Sequence, residues 1–317
     1  MLIDIPVSEL PNWQGRNPRP EDHEAYWERA LGELASTDPA QELIPASFSC
    51  PFADCFDLYF TGVRGARIHA KFVLPKNIRS PLPAVFKFHG YAWNAGDWFG
   101  LLGYAAAGIA VAAMDCRGQG GSSEDTGGVR GNTLHGHIIR GLDDSPDNLL
   151  FRHIFLDTAQ LVRVVSGFPE IDENRLGAFG GSQGGALTVA CAALSPIKRA
   201  APVYPFLCDY KQVWELDLAK DAYQELKDYF RWFDPRHERE EKVFTTLGYI
   251  DLQFLAPRIK AEVLLFTGLM DTICPPSSQF AMYNKIRAKK KFLLYPDFGH
   301  ENLPDCDDIT FAFLSKL

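Results

Sequence analysis

The 317-residue chain has no basic excess, no internal repeat, no low-complexity tract and no cysteine spacing of the metal-binding kind. Its 32 Lys and Arg stand against 40 Asp and Glu, a formal net charge of −8. A nucleic acid or an anionic membrane surface calls for a basic face, so neither is expected as a partner. The seven cysteines are Cys50, Cys55, Cys116, Cys191, Cys208, Cys274 and Cys306. An odd number so widely spread does not make a disulfide framework or a zinc site. Buried thiols are expected, and only Cys50 and Cys55 lie close enough in sequence to suggest a bridge. The opening Met1-Leu2-Ile3-Asp4-Ile5-Pro6 lacks the basic and apolar regions of a secretory signal, which points to a cytoplasmic protein. Residues 176–197 are uncharged and long enough to span a bilayer, but glycines, Ser182 and Gln183 interrupt them, and a tight turn explains the stretch better.

What is present is an ordinary globular composition. At 46% hydrophobic residues the chain can bury a real core, and its length suits one large domain, residues 1–317, with insertions. Residues 1–60 read as an N-terminal extension. An extended Pro- and Asn-rich arm comes first. A helix then opens at Pro20-Glu21-Asp22 and ends at Thr37-Asp38-Pro39, with Trp27, Ala30, Leu31 and Leu34 on one face. Residues 56–74 read as a hairpin turning at Gly62-Val63-Arg64-Gly65, with His69 on the solvent face of its second strand.

From Ala84 onward, short apolar runs alternate with helical patterns. Strands are expected at 84–88, 109–114, 176–179, 263–267 and 292–295, with helices at 98–107 and 148–166. Strands separated by helices imply a mostly parallel sheet with helices on both faces and a site at the carboxyl ends of the strands. Residues 206–256 break the rhythm and read as a helical insertion, in which the charge run 237–242 is a solvated helix face.

The stretch that organises the rest is Leu176-Gly177-Ala178-Phe179-Gly180-Gly181-Ser182-Gln183-Gly184-Gly185, followed by an Ala/Leu/Val helix. Strand, Gly-x-Ser-x-Gly and helix together are the setting of a nucleophile elbow, so the fold class is α/β, specifically the α/β-hydrolase fold. The elbow lifts Ser182 above the sheet and places the Gln183 N–H at a helix start, where it can face an oxyanion. A serine nucleophile needs a base, and the base needs an acid to orient it. In this fold the order is Ser, acid, His, each after a strand. Asp271 follows the strand at 263–267 and His300 follows that at 292–295. His300 is the one histidine C-terminal to both Ser182 and Asp271. Asp297 is a rival acid, but it lies only three residues from His300 on the same loop, which favours Asp271.

The second oxyanion donor is expected from the loop after strand 84–88, at the Tyr91 backbone, with Gly90 permitting the turn and His89 as a structural hydrogen-bonder. The loop 115–123 lacks the Gly-Lys-Ser/Thr of a phosphate loop and reads as a buttress, with Asp115 and Arg117 in internal pairs. Trp93, Trp98, Phe206 and Pro276, with Tyr91, are candidate walls of an acyl or substrate pocket by position alone, and core packing is the competing role for each.

Several of these pieces together resemble carbohydrate esterase family 7, the acetyl xylan esterases and cephalosporin C deacetylases. They are Arg117-Gly118-Gln119-Gly120-Gly121-Ser122-Ser123, Gly180-Gly181-Ser182-Gln183-Gly184-Gly185, Gly268-Leu269-Met270-Asp271 with Cys274-Pro275-Pro276, and His300-Glu301. Asn17-Pro18-Arg19-Pro20, Tyr26-Trp27 and Pro205-Phe206-Leu207-Cys208 extend the likeness along the chain. The resemblance implies a triad of Ser182, Asp271 and His300 and oxyanion donors at the Tyr91 and Gln183 backbones. It implies a cytoplasmic, metal-independent enzyme without a cofactor that deacetylates short sugars and cephalosporin C. It also implies a homo-hexamer with its active sites facing an internal cavity. The chain departs from the pattern at Asn302-Leu303-Pro304, where more glycine is expected. Other esters, thioesters or peptides remain alternative substrates of the same fold, and a non-catalytic scaffold is a further reading.

Overall fold

The computed structural model describes residues 3–77, 81–127 and 132–317. Its strands are β1 (Glu42–Pro45), β2 (Ala53–Thr61), β3 (Arg67–Pro75), β4 (Leu82–Phe88), β5 (Ala110–Met114), β6 (Ile171–Gly181), β7 (Arg199–Val203), β8 (Glu262–Gly268) and β9 (Lys290–Tyr295). Among the described residues they form one sheet in the order β1-β2-β3-β5-β4-β6-β7-β8-β9. The first three strands and the β3/β5 pair run antiparallel, and β4 to β9 are joined in parallel. The helices are α1 (His23–Ser36), α2 (Leu102–Ala106), α3 (Leu150–Ser166), α4 (Gln183–Leu194), α5 (Tyr210–Glu215), α6 (Gln224–Phe233), α7 (Glu240–Leu247), α8 (Leu252–Leu255), α9 (Pro276–Lys285) and α10 (Cys306–Leu314).

Period-two alternation divides the strand residues between the two faces of the sheet. Ile68, Ala70, Phe72, Phe86, Phe88, Ala110 and Ala112 join α1, α3 and α4 in one cluster. Val73, Val85, Val111 and Ala113 join Leu101, Tyr104 and Leu314 in the other. Strands β4 and β5 are covered on both faces, which is why they read as apolar runs. Burying each Phe or Leu in these layers contributes roughly 1.5–3 kcal/mol. Helices α3 and α4 lie within the larger core, and nearly all their residues are buried.

Two expectations are corrected, the reach of the N-terminal extension and the exposure of His69, and the expected buried thiols are present. The N-terminal extension does not reach residue 60, because β1 and β2 already belong to the sheet. Strand β1 is exposed along its whole length, and its adjacent Leu43 and Ile44 do not make the alternation that announces a strand. His69 is not on a solvent face but 4% exposed. The second face of β3 is roofed by the loop after β5, and His69 Nδ1 lies 2.7 Å from Asp115 Oδ2 while Nε2 lies 2.9 Å from Asp57 Oδ1. Burial opposes the imidazolium, but the two carboxylates outweigh it and raise the His69 pKa. Cys50 and Cys55 are not bridged, and all seven cysteines are buried free thiols.

Residues 206–256 carry α5 to α8 between β7 and β8. The arm before α1 is held to this helical segment. The Asp209 carboxylate accepts the Arg16 N–H at 2.9 Å and the Asn17 N–H at 2.8 Å, and Asn17 Nδ2 donates to the Phe244 carbonyl at 3.0 Å. No helix of the described residues is long and apolar enough to cross a membrane.

Candidate active site

The site forms where five parallel strands end side by side. Phe88 of β4 pairs with Gly180 of β6, Gly181 with Val203 of β7, Val203 with Phe266 of β8, and Gly268 with Tyr295 of β9. Ser182, Asp271 and His300 each follow one of these ends. The chain turns from β6 into α4 at Ser182, which has φ 57° and ψ −118°. This is a left-handed conformation that costs a non-glycine residue on the order of 1–3 kcal/mol and persists because its surroundings fix it. The Ser182 N–H donates to the Val203 carbonyl at 3.0 Å, and its own carbonyl accepts from Ala186 at 3.0 Å and Phe206 at 3.1 Å. Gly180 and Gly184 are dictated by space. A Cβ on Gly180 would sit 2.5 Å from the Phe88 carbonyl oxygen, and one on Gly184 would overlap that oxygen.

The acid and the imidazole are joined. His300 Nδ1 lies 2.8 Å from Asp271 Oδ2. Asp271 is fully buried, and its other oxygen accepts the Ile273 N–H at 2.8 Å and the Cys274 N–H at 2.7 Å. The Asp271 carboxylate can only accept, so Nδ1 carries the hydrogen and Nε2 is left with its lone pair. The ring of Tyr204, at the end of β7, packs 4.5 Å from the imidazole. Asp297 takes no part in this pair. Where glycine was expected, Leu303 is buried against Phe266 and Cys306 and anchors the loop, while Asn302 is exposed.

Among the described residues the Ser182 hydroxyl makes no hydrogen bond to His300, and the buried Cys274 thiol lies beside it. Burial first, and the neighbouring Asp271 second, push the Cys274 thiol well above its ordinary range, so it stays protonated. Asp271, Cys274 and His300 bring one potential ligand atom each within 4.8 Å of one another. Both Asp271 oxygens and His300 Nδ1 are already engaged, and the cluster is accounted for as an acid–base pair beside a hydroxyl.

Two backbone N–H groups border the elbow. Gln183 opens α4, and Tyr91 lies in the loop after β4, whose Phe88 and His89 carbonyls pass directly against Gly184. Among the described residues neither N–H has a protein acceptor. His89 supports this loop from inside, donating from Nδ1 to the Gly90 carbonyl at 2.7 Å and accepting the Cys116 N–H at 3.0 Å. Burial lowers its pKa, which suits a neutral imidazole.

The candidate walls separate. Tyr91 is half-buried at the site, and Trp93 is 65% exposed on the same loop. Phe206 is 1% exposed and lies between Tyr91 (5.7 Å) and Tyr223 (4.4 Å), so it supports Tyr91 instead of presenting a surface. Pro276 is buried in the first turn of α9. Trp98 stacks on Phe48 at 6.1 Å within the other core layer, away from the elbow.

Sequence reasoning missed four neighbours: Tyr204, Cys274 in its contact with Ser182, Gln119 and Glu225. The Glu225 carboxylate on α6 accepts the Tyr91 hydroxyl, the Gly136 N–H at 2.8 Å and the Ile138 N–H at 2.7 Å. Its available signal was an acid on the otherwise apolar face of Leu226, Tyr229 and Phe230. The buttress reading of 115–123 holds: Arg117 makes a bidentate pair with Asp157 at 2.7 and 2.6 Å, both side chains fully buried.

Comparison with known proteins finds relatives along the whole chain. The family model described as acetyl xylan esterase (AXE1) matches residues 1–317. Acetyl xylan esterase 1 from Thermoanaerobacterium sp. JW/SL YS485 is 59% identical, with 99% of each chain covered and a TM-score of 0.96. An acetyl xylan esterase from Paenibacillus sp. R4 is 34% identical, covering 98% of this chain and 99% of that one, with a TM-score of 0.92. Acetyl esterase Axe7A of Xylanibacter ruminicola is 25% identical over 94% of this chain and 67% of its own. A more distant likeness to a puromycin hydrolase, 17% identical with a TM-score of 0.58, is one of fold alone.

Proposed function

The chain belongs to the acetyl xylan esterase family and is a carboxylic ester hydrolase of the α/β-hydrolase fold; from that premise we propose that it removes acetyl groups from acetylated xylo-oligosaccharides, and from cephalosporin C, through an acetyl-enzyme on Ser182. The observation that carries the reading is the Asp271–His300 pair beside a strained serine at the elbow.

In this mechanism the Ser182 hydroxyl turns to His300 Nε2, which takes its proton as Oγ attacks the acetyl carbonyl. The imidazolium is stabilised by Asp271. Negative charge gathers on the carbonyl oxygen, where the Tyr91 and Gln183 N–H groups meet it. The C–O bond breaks, the sugar hydroxyl leaves with the proton from His300, and acetate remains esterified to Ser182. Water, deprotonated by His300, then attacks the acetyl carbonyl and releases acetate. Neutral imidazole is the working form, so activity falls on the acid side. No step calls for a metal or a cofactor.

The same reading makes the protein a cytoplasmic homo-hexamer. Trp232 and Phe233, 71% and 60% exposed on α6, support an assembly. Light scattering is expected to give about six times 35.4 kDa, and a monomer mass refutes the hexamer.

The function is tested by initial rates on p-nitrophenyl esters from acetyl to octanoyl, for the parent chain and Ser182→Ala. A steep loss beyond acetyl is expected, with turnover reduced about 10⁴–10⁶-fold in the variant. Preference for long acyl chains removes the deacetylase reading and leaves the esterase.

A further inference from the structure

Two N–H groups on separate segments can act on one oxygen only if something fixes the distance between them. The Tyr91 donor sits on the loop after β4 and the Gln183 donor at the start of α4. Backbone ladder bonds end below both, at Phe88 and Gly181. One side chain bridges them. Gln119 Oε1 accepts the Ala92 N–H at 3.0 Å, one residue beyond the Tyr91 donor. The same oxygen accepts from Gln183 Nε2 at 2.9 Å, and Gln119 Nε2 donates to Gln183 Oε1 at 2.9 Å. The two carboxamides therefore face each other in a reciprocal pair, and both side chains are fully buried. The Gly120 N–H adds a bond to the Trp93 carbonyl at 3.1 Å, which holds the Gln119 segment against the Tyr91 loop.

We propose that Gln119 is a positioning residue: its carboxamide fixes the spacing of the Tyr91 and Gln183 N–H groups and so sets how well the site binds a tetrahedral oxyanion. This rests on the reading of those two groups as oxyanion donors. The chemistry selects glutamine. Its oxygen accepts twice and its nitrogen donates once, and in so buried a position the loss of either role leaves a polar group unpaired. Glutamate keeps the acceptor for Ala92 but loses the donor to Gln183. Methionine fills the space and loses all three bonds. Gln119 touches neither substrate nor the reacting atoms, so its effect belongs to the transition state and not to ground-state binding.

The test compares Gln119→Met and Gln119→Glu with the parent enzyme on p-nitrophenyl acetate. Inhibition by a small boronic acid is measured in parallel, because its adduct with Ser182 carries a tetrahedral oxyanion. The Met variant is expected to lose on the order of 10–100-fold in kcat, less than the loss of a whole donor, with KM changed less than about threefold. The boronate inhibition constant is expected to rise by the same factor as kcat falls. The Glu variant, which retains the Ala92 contact, is expected to recover part of both, and it carries the test alone if the Met variant does not fold. A lowered kcat with unchanged boronate affinity overturns the proposal, as does a change confined to KM or full activity in both variants. Ser182→Ala serves as the control: if it retains turnover, the esterase mechanism fails and not the role of Gln119.

Discussion

At the scale of single residues, the site depends on groups that burial and hydrogen bonding hold in one chemical state. Asp271 has both oxygens occupied, so it can only accept from His300 Nδ1. Asp271→Asn keeps the size of the side chain but presents an amide that can donate, and the imidazole loses its working tautomer. The expected outcome is a fall in kcat of about 10⁴ with an unchanged melting temperature, measured by steady-state rates and calorimetry. A loss of less than tenfold removes Asp271 from the mechanism. Cys274 lies next to the same hydroxyl, yet its thiol is pushed upward by burial and stays protonated, so the cysteine is not a competing nucleophile.

At the scale of elements, the helical segment 206–256 reaches into the site through α6. Glu225 ties Tyr91 to the Gly136 and Ile138 amides. Removing the carboxylate in Glu225→Ala leaves the half-buried Gly136 N–H and the buried Ile138 N–H unpaired, at about 1–3 kcal/mol for the buried one. The variant is expected to melt at lower temperature and to lose kcat as the Tyr91 loop loosens, read by thermal unfolding and steady-state rates together. Melting and kcat both at parent values contradict this role.

What the sequence could reveal was set by range. Ser182, Asp271 and His300 were readable because each follows an apolar run, in a chain order that one fold explains. The Gln119–Gln183 and Tyr91–Glu225 contacts join residues 64 and 134 apart, and no local pattern encodes them. His69 was misread because period-two alternation shows which residues share a face, and not whether a distant loop roofs that face. Strand β1 went unseen because four exposed residues with Leu43 and Ile44 side by side show no alternation.

At the scale of the whole molecule, buried histidines govern the response to acid. Burial pushes His23 and His137 down to about 4, and His153 down to about 3, from an ordinary value of 6.5. They stay neutral in the folded chain while the unfolded chain binds protons below 6.5. Stability is therefore lost as pH falls through 6.5. Asp251 works in the opposite direction. Burial, with Asp209 beside it, raises it to about 7, so the folded state holds one proton that the unfolded state releases. His69, raised by its two carboxylates, contributes stability that is lost only above 6.5. The lowered histidines outnumber Asp251, so toward pH 5 unfolding takes up protons on balance and stability is lost. Denaturant melts across this range are expected to show stability falling toward acid. A flat or rising profile contradicts the neutral burial of these histidines.

The central claim is that Ser182 is a nucleophile served by His300 and Asp271. The most direct measurement is covalent labelling with a fluorophosphonate, followed by peptide mass spectrometry. The account predicts one adduct, on the peptide containing Ser182, formed at least about 10³-fold more slowly in His300→Ala and Asp271→Asn. An adduct at another serine, or labelling of Ser182 at an undiminished rate in both variants, would contradict it.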